Sequence, residues 1–438
     1  MRQSLTLTAL LLSVSSLTSL HAQGWSLDDC IKYALENNIQ VQQAQNSVES
    51  AEADVKSSRA ALFPSLTFGS SQSLGFQKTS SQSYTTYDAT QKNPTYNGSY
   101  NLSANVTLFD GGANWRSLKQ SKLTKQATEL AAQKTANNIQ VQIIQAYYQI
   151  LYAHESVQTN EEIVAVAQRE LDRTKAKLDV GKGTKVDVAQ MESQLQQNQY
   201  SLVTARNTEA SNILSLKQLL QLSPEENFSI NYQDFSDEDV LSVIPSVADA
   251  EMMALNNLPD VKAAEIQTKA AELQTKIAKA GYMPSISLNG GVSTSNGNVY
   301  SSNFGTQLKD HLHESVGVSL SVPILDNRRT RTSVDRAKIQ YSNALLDQEN
   351  TRLQLQNNIA SLHLDILSAQ SRYQSAIASE ASAKESFEMM EERYNVGLES
   401  VIDLLTEKNN YLKAKQETLQ SKYTALMDLE LLDFYTGQ

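Results

Sequence analysis

The chain has 438 residues and a formal net charge of -11, and its glycine (16) and proline (7) are too scarce for many separate loops, so long uninterrupted elements are expected. The acidic balance and the dispersed Lys and Arg residues argue against a phosphate-binding surface and a nucleic-acid partner. A single cysteine, Cys30, excludes an internal disulfide.

Residues 1–22 carry Arg2, an apolar stretch around Leu5 to Leu20, and Leu20-His21-Ala22 before Gln23, which reads as a signal peptide with its cleavage site. The mature chain is therefore expected to be exported. The stretch is too short and serine-rich to span a bilayer, and no later segment approaches the roughly 20 apolar residues a membrane helix needs. Any membrane span must then be a β-barrel, because only helices and closed barrels satisfy their backbone in hydrocarbon. Cys30 lies too late to be the modified first residue of a lipoprotein and reads as a helix-face residue without chemistry.

A first helix is predicted over about 27–61, ended by Pro64. Beyond the proline the pattern alternates: Leu66, Phe68, Leu74 and Phe76 are apolar, while Ser65, Thr67, Gly69, Ser71 and Ser73 are small or polar. The return strand alternates likewise, with Tyr100, Leu102, Ala104, Val106 and Leu108 against Ser99, Asn101, Ser103, Asn105 and Thr107. Such strands, apolar on one face and small-polar on the other, mark a membrane β-barrel, with a soluble sandwich as the alternative. The hairpin is placed at about 65–110.

From Gly112 to Leu178 there is no proline and no internal glycine, and a four-three apolar spacing sets in at Ile139. One seam is bulky (Ile143, Ile150, Val157, Val164, Leu171, Leu178) and the other mostly small, which suits coiled-coil-like packing. At about 1.5 Å per residue this helix is a rod of roughly 100 Å, far beyond a compact domain's diameter. A turn at Val180-Gly181-Lys182-Gly183-Thr184 leads into a returning helix over about 184–220.

The whole arrangement is then written again. Ser26 to Phe68 matches Ser246 to Leu288 at a constant offset of 220, through pairs such as Ala34/Ala254, Lys56/Lys276 and Pro64/Pro284. From about Ser99 the offset becomes 216, pairing Asp110/Asp326, Gly181/Gly397 and Asp187/Asp403. The difference falls between residues 77 and 98, which marks an exposed loop whose counterpart is about 298–313. The predicted organisation is a first repeat over 23–222, a linker at 223–245 between Pro224 and Pro245, and a second repeat over 246–438. The second repeat has its hairpin at about 285–325, its long helix at about 327–394 and its last helix at about 400–435. Four strands cannot close a barrel, so several copies must pool theirs.

Nucleotide-binding loops, nucleophile elbows, zinc-binding helices and paired-cysteine sites are all missing from the sequence. No enzymatic activity and no cofactor are expected. His311 and His313 share a face if their loop is extended, but two ligands in a polar loop make a poor metal site.

The segment Trp25-Ser-Leu-Asp-Asp-Cys-Ile-Lys-Tyr-Ala-Leu-Glu-Asn-Asn38, the Phe63-Pro-Ser-Leu66 strand start, the strand ends Leu108-Phe-Asp-Gly-Gly112 and Val322-Pro-Ile-Leu-Asp326, and the Arg393-Tyr-Asn-Val-Gly397 turn resemble the TolC-like outer-membrane efflux protein family, also called outer membrane factors. The resemblance covers essentially the whole mature chain. It implies an α+β fold of mainly long α-helices: a homotrimer whose 12-stranded transmembrane β-barrel continues into a periplasmic α-helical barrel. It also implies an equatorial belt containing 223–245, and a location in the outer membrane reaching into the periplasm.

The implied function is that of a passive exit duct of a tripartite efflux or type I secretion system. Its implied partners are a periplasmic adaptor protein, an inner-membrane pump or ABC exporter, and outer-membrane lipid. The rival readings are a soluble or surface-exposed trimeric coiled-coil scaffold or adhesin, and a self-contained porin. The first shares the heptads but leaves four facially amphipathic strands unexplained, and the second leaves the helical two thirds of the chain unexplained. The exported substrate is not readable, because a wide small-polar lining discriminates little.

Glycine at 181 and 397 permits the left-handed conformation that a sharp turn needs. Thr184-x-x-Asp187 and Ser400-x-x-Asp403 form capping-box-like starts, sufficient in themselves to account for both acids. In a trimer they would also gather six carboxylates at a narrow mouth, a ring that favours cations. The resemblance makes Asp187, Asp403 and Tyr394 gate candidates, although a heptad position already accounts for an aromatic at 394. It makes Val180, Gly181, Thr184, Val396, Gly397 and Ser400 candidates for adaptor contact. The chain departs from the family's best-known gate at Glu399, where an arginine is usual, and at Thr406, where a second acid is usual.

Overall fold

The structure, a computed structural model, describes residues 24–76 and 94–437. The signal-peptide reading and most of the first outer loop lie outside the described residues. Two compact units make up the chain. One takes the described residues up to 46, Ala131–Val261 and residues 351–437; the other takes Ser47–Leu130 and Lys262–Asn350 with the loop's described ends.

The second unit holds a single antiparallel sheet of β1 (Ser65–Gly75), β2 (Thr95–Phe109), β3 (Ser285–Gly297) and β4 (His313–Ser321), in the order β1-β2-β3-β4. Directly opposed residues point to the same face of a sheet. The register sets Phe68 opposite Leu102, Leu102 opposite Val292, Leu288 opposite Val318 and Ile286 opposite Leu320. These side chains form one continuous apolar face, and it is bare: Phe68 is 68% exposed and Val318 67%. The other face sets Thr67 opposite Ser103 and Asn105 opposite Asn289, whose amide donates to the Ser319 hydroxyl at 2.8 Å.

Strict alternation placed Leu108 on the apolar row. A β-bulge between Thr107 and Phe109 breaks that parity and sets Phe109, not Leu108, opposite Ile286. The loop at 298–313 is not fully extended either: it contains α8 (Phe304–Asp310). His311 caps that helix and engages the Ser295 carbonyl through Nδ1 at 2.9 Å, while His313 opens β4, so the two do not share an extended face.

The helices repeat. α3 (Ala113–Asp179) and α9 (Arg329–Asn395) each have 67 residues; α4 (Lys185–Leu220) and α10 (Val401–Thr436) each have 36. The helix expected unbroken over about 27–61 is instead α1 (Leu27–Asn37) and α2 (Ile39–Ala60). Asn38 between them is extended; its side chain donates to the Leu219 carbonyl at 2.8 Å and accepts from the Gln40 N–H at 2.8 Å, so it stops one helix and starts the next. The second copy breaks at the same place, between α6 (Val247–Asn257) and α7 (Pro259–Ala280), because a residue preceding proline avoids the helical region.

In the first unit the bulky seam of α3 (Ile139, Ile143, Ile150) is buried with Leu216 and Leu220 of α4 and with Cys30 and Ala34 of α1. Burial pushes the Cys30 thiol up to about 12, which leaves it without reactivity. The linker at 223–245 is stitched onto this core. Ile230 bridges Trp25, the Lys217 ammonium donates to the carbonyls of Pro224 (3.1 Å) and Glu226 (2.6 Å), and the Tyr373 hydroxyl donates to Asp237 at 2.6 Å at the start of α5 (Asp237–Val240). No helix among the described residues is long and apolar enough to cross a membrane.

Candidate functional site at the helical turns

Both long helices end in the same backbone device. Gly181 has φ +74°; its N–H donates to the Leu178 carbonyl at 2.9 Å and that of Lys182 to Lys177 at 2.8 Å. Gly397 has φ +82°, with Gly397 N–H to Tyr394 at 3.1 Å and Leu398 N–H to Arg393 at 3.0 Å. These paired bonds satisfy carbonyls the helix would otherwise leave open, and the left-handed residue that closes them carries no Cβ.

The returning helices start immediately. The Thr184 hydroxyl accepts from the Asp187 N–H at 3.1 Å while the Asp187 carboxylate accepts from the Thr184 N–H at 2.9 Å, a full reciprocal cap. In the second turn the Ser400 hydroxyl accepts from the Asp403 N–H at 3.2 Å and donates to its carboxylate at 2.6 Å. Asp187 is half-buried and Asp403 exposed, each oriented by its own helix start. Val180, Gly181, Thr184, Val396, Gly397 and Ser400 are all exposed, which leaves the ends of both turns available to another surface.

Behind the turns the four helices share one apolar cluster: Ala167 and Leu171 of α3, Met191 and Leu195 of α4, and Val401 and Leu404 of α10, with Tyr394 packed against them. Charged contacts rim and cross it. Lys177 stands over the Tyr394 ring at 4.0 Å from its centroid, a cation–π contact. Its ammonium is held below its usual range, by partial burial first and the neighbouring Arg173 second, with Asp187 pulling the other way. Arg173 pairs with Glu391 at 3.3 Å. Tyr394 is thus brought to Lys177, and the two acids Asp187 and Asp403 are taken up by their caps. Glu399, where an arginine was the family expectation, pairs with Arg393 at 2.5 Å across its own turn, and the Thr406 hydroxyl donates to the Ile402 carbonyl at 2.8 Å.

One pair escaped the sequence reading. Glu170 of α3 and Lys408 of α10 meet at 2.6 Å with their side chains 10% and 2% exposed. The signal was present in Lys408 itself, a charge spaced with Val401 and Leu404 on a seam that is otherwise apolar. Among the described residues no group of His, Cys, Asp and Glu could hold a metal ion.

A long helix pair closed by a tight turn, written twice within one chain that also carries a four-stranded sheet with a bare apolar face, is the architecture of an outer-membrane protein. The chain belongs to the outer membrane efflux protein family, which matches residues 30–221 and 252–438. It is 23% identical over 426 residues to the outer membrane protein TolC of Escherichia coli K12, covering 95% of this chain and 83% of that one. It is 22% identical over 430 residues to the outer membrane efflux protein BepC of Brucella suis, covering 98% and 89%. Among solved structures it superposes on CusC with a TM-score of 0.80 at 19% identity, covering 94% of this chain and 91% of that one. VceC of Vibrio cholerae gives 0.78 at 17%, covering 94% and 96%. At such identities the superpositions establish the fold alone.

Proposed function

We propose that this protein is the outer-membrane exit duct of a tripartite efflux or secretion assembly, a passive conduit that gains its energy from an inner-membrane pump reached through a periplasmic adaptor. The observation that carries this reading is the sheet: four strands with a bare apolar face, a small-polar reverse face, and outer edges of β1 and β4 that pair with no other described strand. Open strand edges are not tolerated in hydrocarbon, so the strands of several copies must close one barrel with the apolar face to lipid. Three copies supply twelve strands, a number that closes a barrel with an aqueous lumen. The names of relatives support the export role; one is the toxin and drug export protein A of Aggregatibacter actinomycetemcomitans.

In this reading the turns form the periplasmic mouth. Asp187 and Asp403 from each copy ring the mouth and favour cations, and the exposed tip residues from Val180 to Thr184 and Val396 to Ser400 receive the adaptor. Lys177, Tyr394, Arg173 and Glu391 hold α3 against α9, and an adaptor that parts the tips must loosen them. The test is extraction and conductance. The protein should leave membranes only with detergent, run as a heat-modifiable oligomer, and open cation-preferring channels in planar bilayers. A monomer released by salt alone would end the proposal.

A further inference from the structure

The end of the sheet nearest the helices is ringed by positive charge. Within the ten residues that flank each of the four strand ends there (55–64, 110–119, 275–284 and 322–331) stand nine Lys and Arg and two acids, in a chain where Asp and Glu outnumber Lys and Arg by 48 to 37. Both acids are taken: Asp110 accepts from the Asn114 N–H and Asp326 from the Thr330 N–H, each at 2.8 Å, at the starts of α3 and α9. An excess of this sign, confined to one level of a chain that is acidic overall, gives that level a positive field and indicates the charge of what it meets.

At this level α2 and α3 border a groove of about 610 Å³, a size that suits a small-molecule site. The Ser58 and Ser121 hydroxyls, 2.7 Å apart, tie the two helices together. The two ends of the groove differ. Toward the sheet it is apolar, with Leu118 buried and Phe63 and Trp115 62% and 69% exposed. Away from the sheet it is cationic. Lys56 and Lys125 share Glu52 at 3.0 and 3.5 Å, whereas Arg59 and Lys122 are exposed and enter no ion pair among the described residues. Phe63 lies two residues before β1 and Trp115 six after β2, so both rings stand where the strands end. Arg59 and Lys122 lie four and seven residues further from the sheet, which is roughly 6 and 10 Å at about 1.5 Å per residue. The headgroup region of a bilayer is roughly 5 to 8 Å deep on each side of its hydrocarbon core, so rings and cations together span that layer.

Resting on the exit-duct reading above, we propose that this groove binds the headgroup of an anionic phospholipid in the leaflet from which the helices emerge. Arg59 and Lys122 hold the phosphate, with Lys56 and Lys125 beside them, and Trp115 and Phe63 lie along the first segment of the acyl chains. An aromatic ring at the hydrocarbon boundary with a basic pocket just beyond it matches both parts of such a lipid. A zwitterionic lipid brings its own cation to the groove and loses the net attraction. The site belongs to the first repeat: at the offset of 216, Trp115 corresponds to Arg331 and Lys125 to Tyr341, so the second repeat does not write the same groove.

Trp115 is the probe, because the chain has two tryptophans and Trp25→Phe leaves it alone. The full-length oligomer of that parent is placed in nanodiscs of equal parts phosphatidylglycerol and phosphatidylcholine, with bromine on the acyl chains of one lipid or the other. Brominated phosphatidylglycerol should quench Trp115 at least about twofold more strongly than brominated phosphatidylcholine. Arg59→Gln with Lys122→Gln should erase the difference, while Lys279→Gln with Arg331→Gln, which removes the same charge elsewhere on the ring, should keep it. The parent comparison decides even where a variant pair fails to fold. If the two lipids quench the parent equally, or if both variant pairs or neither lose the difference, the groove is not the site. Quenching by neither lipid, in an oligomer that still needs detergent for extraction, means that the groove is covered; in each of these cases the duct stands. If millimolar inorganic phosphate in pure phosphatidylcholine nanodiscs shifts Trp115 emission as phosphatidylglycerol does, the site takes free phosphate and the lipid proposal falls. A chain that forms no detergent-dependent oligomer and does not enter the nanodiscs removes the duct reading and the site together.

Discussion

Glu170 of α3 and Lys408 of α10 form an ion pair at 2.6 Å inside the apolar cluster behind the turns, joining a helix of the first repeat to one of the second. The second Glu170 carboxylate oxygen is buried and has no hydrogen-bond partner, so the ammonium is its main compensation. Removing one partner strands a buried charge, which typically costs about 3 to 5 kcal/mol, while replacing both by apolar groups is often neutral. Lys408→Met is therefore expected to lower the thermal midpoint of helical circular dichroism in detergent, and Glu170→Leu combined with Lys408→Met to recover most of the loss. A single variant as stable as the parent would contradict this account.

The parity of the strands gives a second expectation. Phe68→Lys puts a charge on the apolar face, which costs about 2 to 4 kcal/mol at the middle of a bilayer, and should abolish recovery from the outer membrane. Thr67→Lys, one residue away on the small-polar face, should assemble normally and lower single-channel cation conductance. Equal behaviour of the two would mean that the faces are not lipid and lumen.

Asp428 on α10 is 8% exposed, and burial first and the Asp365 charge second raise its carboxyl to about 6. A carboxyl whose folded value lies above its unfolded one favours the fold when protonated; that contribution is full below the unfolded value near 4 and is lost as pH rises through about 6. Stability should thus fall between about pH 4 and 6 through this group, by roughly 2 to 3 kcal/mol, and Asp428→Asn should flatten the profile and stabilise the protein at pH 7. Denaturant midpoints across that range measure it; an unchanged slope in the variant would rule the group out.

At the second turn a Cβ added to Gly397 meets nothing within 4 Å, so Gly397→Ala carries only the strain of φ +82°. The expected cost is about 1 to 2 kcal/mol, with Gly397→Asn cheaper, because Asn tolerates the left-handed region. Hydrogen exchange of the amides flanking the turn reports it directly.

The carboxylate ring is tested by Asp187→Ala with Asp403→Ala in planar bilayers, where cation preference should drop. Each alanine also removes the carboxylate that bonds back to Thr184 or Ser400 while the hydroxyl caps stay, so Asp187→Asn and Asp403→Asn, which keep an acceptor oxygen, separate charge from that hydrogen bond. Unchanged selectivity in the asparagine pair would dismiss the ring.

The sequence by itself determined everything that rests on local spacing: the twofold repeat, the alternating strands, the long seams, and the glycines of the turns. These arise from period and backbone sterics, which neighbouring residues settle among themselves. The two breaks show the limit of that rule. Pro259 announces one, but Asn38 stops its helix partly by a bond to Leu219, 181 residues away. Only the tertiary structure decided the bulge that turns Phe109 rather than Leu108 toward Ile286, the partner of Lys408, and the fate of Tyr394, which meets Lys177. Each of these depends on which distant group lies across a packed seam, and a heptad pattern fixes the existence of a seam without naming the residue on its other side.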